Sequence, residues 1–307
     1  MFSLAQVADP HVSPLPRPSP LELCNKRVLG YLSWTLRRKH IHRKEVLTAL
    51  TADLVANHPD HVAVVGDLTN ISLPAEFPPA LAWLRSLGDP HDVSVVPGNH
   101  DAYVARPWQG TIDLWREYMR GDGLPADGAP AAENDYPWVR VRGPVAVVGV
   151  STAVATRPFL ATGTVGHAQL VRLQTALRAL ASAGLFRVVL IHHPPVDSLT
   201  KRRKRLVDSD RFAEVVARAG AELVLHGHTH CATIASMAGP DGRVPVVGVT
   251  SASSNGGEDE ALRARYNLFQ IHRREHGNHG WDVDLVVRGL GADGSIGEIE
   301  RSRLNVE

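Results

Sequence analysis

Cysteine is nearly absent: the 307-residue chain has two, Cys24 and Cys231. Two thiols exclude a disulfide scaffold and fit a reducing compartment. Aromatic residues make up only 6%, and no interleaving of aromatic and basic residues marks a groove for single-stranded nucleic acid. An excess of one charge is missing too. Lys and Arg number 33 against 32 Asp and Glu, so no global field draws the chain to nucleic acid or an acidic membrane. No apolar run approaches the roughly 20 residues of a membrane span. The opening Met1–Ala8 lacks the basic region and the apolar length of a signal peptide. These absences lead us to expect a soluble cytoplasmic protein.

Hydrophobic residues, at 44%, suffice for a full core. Short Val-, Ile- and Leu-rich runs at 2–8, 61–65, 93–96, 145–150, 188–191 and 222–225 read as strands. Between them, apolar residues at helical spacing predict helices over 43–57, about 81–87, 170–180 and 209–219. Strand and helix alternate, which argues an α/β architecture. Later runs at 244–250, 266–272 and 281–288 suggest a second, more antiparallel sheet, whose strands 266–288 are also candidates for pairing between subunits. Residues 121–135 read as an exposed loop. No linker splits the chain, so 1–307 is expected to be one domain, with an insertion over 20–42 and added strands over 244–290. Of the 16 His, seven in polar surroundings (His40, His42, His58, His61, His272, His276, His279) read as solvated.

Five strand ends carry polar side chains: Asp9 and His11; Asp67; Asn99, His100 and Asp101; His192 and His193; His226, His228 and His230. In α/β sheets ligands bind beyond the carboxyl ends of strands, so these groups are predicted to share one cleft. Each alone has a bland reading as a turn, a corner or a surface loop. Recurrence at successive strand ends favours a site. Mixed Asp, His and Asn ligands suit Zn, Fe and Mn, and there are too many for one ion. A bridging carboxylate allows two ions about 3.5–4 Å apart, able to bind phosphate oxygens and acidify water. Thiolates are absent from the set, which speaks against structural zinc; Cys231 is read as packing.

The ordered motifs Asp9-Pro10-His11, Gly66-Asp67, Gly98-Asn99-His100-Asp101, His192-His193-Pro194 and Gly227-His228-Thr229-His230 resemble those of the calcineurin-like metallophosphoesterases. The resemblance implies a two-sheet α/β–β/α sandwich with a dinuclear metal site at the carboxyl ends of the strands. Carried over residue by residue, it implies that Asp9, His11, Asp67 and His230 hold one metal ion. Asp67 bridges, and Asn99, His192 and His228 complete the second. His192 is taken over His193 because the family's ligand stands two residues before the proline. The ions implied are Mn, Fe or Zn. The resemblance further implies that Asn99, His100 and His193 contact substrate and that a metal-bridging hydroxide attacks phosphorus. His100 protonates the leaving group, and Asp101 orients its imidazole and supports the cationic form.

Within that family the layout is most similar to cyclic-nucleotide and related phosphodiesterases, implying a small phosphodiester substrate. A second reading draws on the basic stretches 25–39 and 201–205. These could face an anionic membrane from the cytoplasmic side and serve a lipid-linked or nucleotide-sugar pyrophosphate. The bland reading of both is solvated cationic surface. A nucleic-acid substrate is disfavoured by the net charge of +1. From another class, a non-catalytic scaffold of the same fold would be expected to have lost ligands, and none is lost here.

Overall fold

Side-chain alternation along short valine-rich strands decides the layering. The computed structural model describes residues 1–122, 136–274 and 280–306. Most of the segment read as an exposed loop (123–135), and His276 and His279, lie outside the described residues. In β1 (Phe2–Val7), Phe2 and Leu4 point one way and Ala5 and Val7 the other. The same period of two divides Ala63 and Val65 from Val62 and Val64 on β2 (His61–Val65).

Between these strands lie α1 (Arg27–Ser33), extended by a π-helical turn Trp34–Arg38 and by Lys39–Ile41, and α2 (Lys44–Ala56). After β2 come α3 (Phe77–Leu87), β3 (Val93–Val96), β4 (Trp138–Arg142), β5 (Val145–Val150), α4 (His167–Ser182) and β6 (Phe186–Ile191). The chain continues through α5 (Ser209–Ala219), β7 (Leu223–His226), β8 (Thr233–Ala238) and β9 (Arg243–Gly248). It closes with β10 (Arg265–Arg273), β11 (Trp281–Leu290) and β12 (Ile296–Leu304).

Two six-stranded mixed sheets result, ordered β12-β11-β10-β1-β2-β3 and β4-β5-β6-β7-β9-β8. Their facing surfaces share one core, in which Leu4, Ala63, Val65 and Val96 meet Val145, Val147, Val188, Leu190 and Leu225. Outside the first sheet, Leu47, Leu50 and Leu54 of α2 and Phe77, Trp83 and Leu84 of α3 cover Val62, Val64, Val93 and Val95. Outside the second, Leu170, Leu173 and Leu177 of α4 and Phe212 and Val216 of α5 cover Ala146, Val148, Val189 and Val224. The α/β–β/α sandwich is therefore present. Each fully buried apolar side chain adds roughly 1.5–3 kcal/mol before entropy is counted, so the layers hold the strand ends rigidly.

Several expectations need correction. The late strands do not form a sheet of their own: β10 pairs antiparallel with β1, and β9 parallel with β7. Strands β10 and β11 are bonded to each other within this one chain, which removes the reason to pair them between subunits. The edge strands β4, β8 and β12 escaped the sequence reading because edges need no continuous apolar run. His42 and His61 are buried, not solvated. Ser253 Oγ lies 2.9 Å from His42 Nδ1, and Ser94 Oγ lies 2.8 Å from His61 Nε2. Nor is the stretch 25–39 a uniformly solvated surface, because the side chain of Arg27 is buried.

Candidate metal centre

Strands β1, β2 and β3 run parallel, as do β5, β6, β7 and β9, so their carboxyl ends form one rim. Backbone bonds lock the turns together across it. Asp9 N donates to Gly66 O at 3.0 Å, His11 N to Asp67 O at 3.1 Å and Gly227 N to His192 O at 3.1 Å. Asp9, His11, Asp67, His228 and His230 all adopt positive φ, between 39° and 68°. Among the described non-glycine residues only His58, Ser72 and Phe159 share that conformation. Positive φ costs energy outside glycine, and here it concentrates on the side chains predicted to meet.

They do meet. Asp67 is buried and lies 3.3 Å from His192 Nε2, which is also 3.3 Å from Asn99 Oδ1. His230 Nε2 approaches His11 Nε2 to 3.3 Å and Asp9 Oδ1 to 3.4 Å. Asp9 Oδ2 accepts the His228 amide at 3.0 Å, while buried Asp9 Oδ1 has no hydrogen-bond partner. Ligand atoms of Asp67, His192 and His228 lie within 4.8 Å of one another, as do those of His11, Asp67 and His100 and those of His11, His42 and His230. Asp67 belongs to two of these groups. Gly98 makes the close approach achievable, since a Cβ there would stand 2.2 Å from Asp67 Oδ1.

Electrostatics fit cation binding. Burial, reinforced by the Arg38 charge, holds the His11 imidazole well below its usual range. Burial and the neighbouring His193 do the same for His228. Neutral imidazole is the form that offers a lone pair to a metal. Burial opposes the charge on His192, but Asp67 outweighs it and pushes the ring up to about 9. Burial would raise the Asp67 carboxyl, yet His192 and His100 hold it well below the ordinary range. A buried carboxylate kept ionised, a second buried carboxylate oxygen without a hydrogen bond and converging imidazole nitrogens fit a pair of metal ions. The backbone fixes the rings from behind: His11 Nδ1 meets Thr69 O at 2.9 Å, His192 Nδ1 meets Val65 O at 2.7 Å and His228 Nε2 meets Lys204 O at 2.9 Å. Such outer contacts set ring tautomer and orientation.

Other expected residues fall differently. His193 has both ring nitrogens engaged, with Thr152 Oγ1 at 2.7 Å and Ala161 O at 3.2 Å, which leaves none for a substrate. His226 is buried under the rim against Gly227 O and Thr233. Cys231 is exposed rather than packed. Asp101 does not reach the His100 imidazole. Its carboxylate accepts Thr69 N, Thr69 Oγ1 and Gly98 N, all at 2.9–3.0 Å, and so ties the loop after β2 to the loop after β3. His100 Nδ1 contacts Asn70 O instead, and the His100 amide donates to Asp67 Oδ1 at 2.6 Å. Burial and Arg38 depress the His100 ring to about 3, which corrects the expected cationic form.

Two residues at the site were missed. Arg38 Nη1 lies 3.4 Å from His100 Nδ1 and from Asn70 O, and its Nη2 is buried with no hydrogen-bond partner among the described residues. His42 packs edge-on against His11 at 4.6 Å. The His40-Ile41-His42 spacing was the one available signal for His42; Arg38 had none beyond its basic neighbourhood.

Known proteins resemble this chain in sequence or fold. A family model described as calcineurin-like phosphoesterase matches residues 2–232. A probable cyclic nucleotide phosphodiesterase of Rhodococcus erythropolis is 26% identical over 200 residues, covering 64% of this chain and 59% of that protein. The chain thus aligns with less than two thirds of that relative. A dimetal phosphatase from Danio rerio superposes with a TM-score of 0.62 at 13% identity, covering 100% of this chain and 99% of the other. The purple acid phosphatase PPD1 of yellow lupin, Lupinus luteus, gives 0.56 at 11% identity, covering 97% of this chain and 52% of the other. At such identities these two structures share the fold.

Proposed function

Because the chain belongs to the calcineurin-like phosphoesterase family, we propose that it is a metal-dependent phosphoester hydrolase that prefers phosphodiesters, a small cyclic nucleotide or related compound among them. The observation that carries this reading is Asp67, an ionised buried carboxylate shared by two ligand clusters, together with the buried Asp9 Oδ1, which has no hydrogen bond and faces His230 Nε2 at 3.4 Å. Asp9, His11, Asp67 and His230 would hold one ion, and Asp67, Asn99, His192 and His228 the other. Mn, Fe and Zn all suit this donor set. When bound, the pair supplies positive charge to phosphoryl oxygens and acidifies water.

The chain's own groups do the rest. Arg38 turns its free Nη2 to a phosphoryl oxygen, a charge-assisted contact. Burial, and after it the Arg38 guanidinium, keeps His100 neutral. A substrate anion on Arg38 would offset the second of these, and in this reading the imidazole then carries a proton to the leaving oxygen. Asp101 holds the two loops in register, and His193 walls the site. We read residues 1–307 as one unit of this fold, acting in a reducing cytoplasm.

The test is hydrolysis of bis(p-nitrophenyl) phosphate against p-nitrophenyl phosphate by Mn-reconstituted protein. Diester preference is expected, and His100→Ala should lower turnover with two metals retained. Monoester preference overturns the diesterase reading, and loss of both metals in that variant reassigns His100 as a ligand.

One observation favours a second reading, action at an anionic membrane surface on a lipid-linked pyrophosphate. Leu32 and Leu36 are exposed in the same short stretch as the exposed Arg37 and Lys39, a combination suited to an interface. No helix among the described residues is long and apolar enough to cross a membrane. Failure to co-sediment with anionic vesicles at low salt removes this reading.

A further inference from the structure

Beside the metal centre lies a cavity of about 620 Å³, between the segment 21–27 and the loops 103–106 and 155–157. That is the size of a small-ligand site. Lys26, Arg27, Arg106 and Arg157 line it against a single acid, Glu22. The Glu22 carboxylate is already occupied by Ser19, at 2.9 Å from its amide and 2.8 Å from its hydroxyl. Arg27 is spoken for as well, donating to the carbonyls of Ile71 and Ser72. The side chains of Arg106 and Arg157 have no hydrogen-bond or ion-pair partner among the described residues and are exposed.

The cavity adjoins the chemistry through one side chain. The Tyr103 ring stacks on the His100 imidazole at 5.6 Å and 20°. The Lys26 ammonium sits over the same tyrosine, 4.3 Å from its ring centre, and donates to Thr156 O at 2.9 Å. Tyr103 therefore separates the leaving-group side of the scissile phosphate from Lys26, Arg106 and Arg157, none of which forms an ion pair among the described residues. Burial lowers the Lys26 ammonium to about 8, so its charge is less well hydrated than that of an ordinary surface lysine. A cavity of this charge recruits anions.

We propose that this cavity is a second anion subsite, binding a phosphoryl group carried on the leaving-group part of the substrate. The inference rests on the hydrolase reading above and narrows it: the substrate is a phosphoester bearing a second phosphate. A simple cyclic mononucleotide, with one phosphate, leaves Lys26, Arg106 and Arg157 unused.

The experiment is calorimetric titration of the metal-loaded protein with adenosine 5′-monophosphate and with adenosine 3′,5′-bisphosphate, whose phosphates are held apart by the ribose. The bisphosphate is expected to bind roughly tenfold more tightly. In Arg106→Gln/Arg157→Gln that advantage should shrink to about twofold or less. A control, Lys201→Ala/Arg202→Ala/Arg203→Ala, removes three surface charges elsewhere, one more than the test variant, and should keep the advantage. Equal affinity of the two nucleotides in the unsubstituted protein overturns the proposal. So does an advantage that survives in the Arg106/Arg157 variant, or one lost equally in the control. The two readings fail separately: binding of both nucleotides depends on the metals, whereas their ratio belongs to the cavity.

Discussion

The two cationic stretches, 25–39 and 201–205, look alike in sequence and serve the molecule in opposite ways. In the first, side chains do the work: Arg27 donates into the loop after β2, and Arg38 reaches His100. In the second, the backbone does it. Lys204 O accepts from His228 Nε2, Arg203 O from Ala161 N at 3.0 Å, and Arg205 O from Gly163 N at 3.2 Å, while Lys201, Arg202 and Arg203 remain exposed. The difference follows from conformation. A helix consumes its own carbonyls, so residues 27–41 have mainly side chains to offer a neighbour. The stretch 201–205, with only a short helical turn, has carbonyls to spare. A basic composition specifies neither outcome; the local backbone does.

The sharpest way to break this comparison is Arg38→Met, which keeps the stem and removes the guanidinium. Loss of one preorganised donor to developing charge costs about 10²–10³-fold in turnover. That fall is expected in kcat for bis(p-nitrophenyl) phosphate, with two metal ions per chain retained by elemental analysis. Arg38→Lys should recover only part of it, since an ammonium lacks the fork. Loss of metal in Arg38→Met would show that the guanidinium supports the ligand shell instead.

A smaller effect is expected from the seat of the helix. Gly30 lets α1 approach the site: a Cβ there would stand 2.5 Å from Ile71 Cγ2 and 2.9 Å from Tyr103 Oη. Gly30→Ala gains about 1 kcal/mol of helix propensity and loses about 1–3 kcal/mol to overpacking. The thermal midpoint should therefore fall by a few degrees at most. Activity should fall by about tenfold or more, because a shift near 1 Å in a positioned group can cost about 10²-fold. Unchanged activity would mean that the helix can move without carrying Arg38 with it.

The strand ends were legible in sequence because each ligand follows a short, largely apolar run that reads as a buried strand, as Val93–Val96 precedes Asn99. Parallel order then brings their ends to one rim. The ring partners were not legible. That Asp101 would serve Gly98 N and Thr69 N rather than His100 depends on which way a turn folds by a few ångströms. Arg38 was hidden for the reason given above: its direction is a property of a helix docked by Gly30, a contact made 41 residues away at Ile71. His61 misled because polar neighbours in sequence, His58 and Asp60, are exposed while His61 itself starts a central strand.

The comparison also extends to pH. Lys26 lies in the first stretch and titrates near 8, because burial disfavours its charged form. In the second stretch burial likewise lowers the Lys204 ammonium, so substitution is what singles out Lys26. The charged form of Lys26 prevails below about 8. The advantage of the bisphosphate over the monophosphate should therefore be full near pH 7 and decline by a fewfold as pH rises through 8 to 9. Lys26→Met should abolish this decline, leaving a flat and lower ratio. A decline that persists in Lys26→Met would assign it to another group.

The smallest effect belongs to the second stretch. If its contribution is made by backbone carbonyls, then removing side-chain charge leaves the His228 contact intact. Lys201→Ala/Arg202→Ala/Arg203→Ala should change stability by no more than about 0.5 kcal/mol per site and kcat/KM for bis(p-nitrophenyl) phosphate by about twofold or less. What should matter is the path of the chain. Lys204→Pro leaves the carbonyl in place but pulls residue 203 away from helical φ and ψ, and it removes the Lys204 amide that donates to Lys201 O at 2.7 Å. That variant should loosen His228 and with it one metal, measured as a fall from two ions toward one. A large loss in the triple variant, or none in Lys204→Pro, would mean that side-chain charge, not backbone, is what this stretch supplies, and the contrast with Arg38 would collapse.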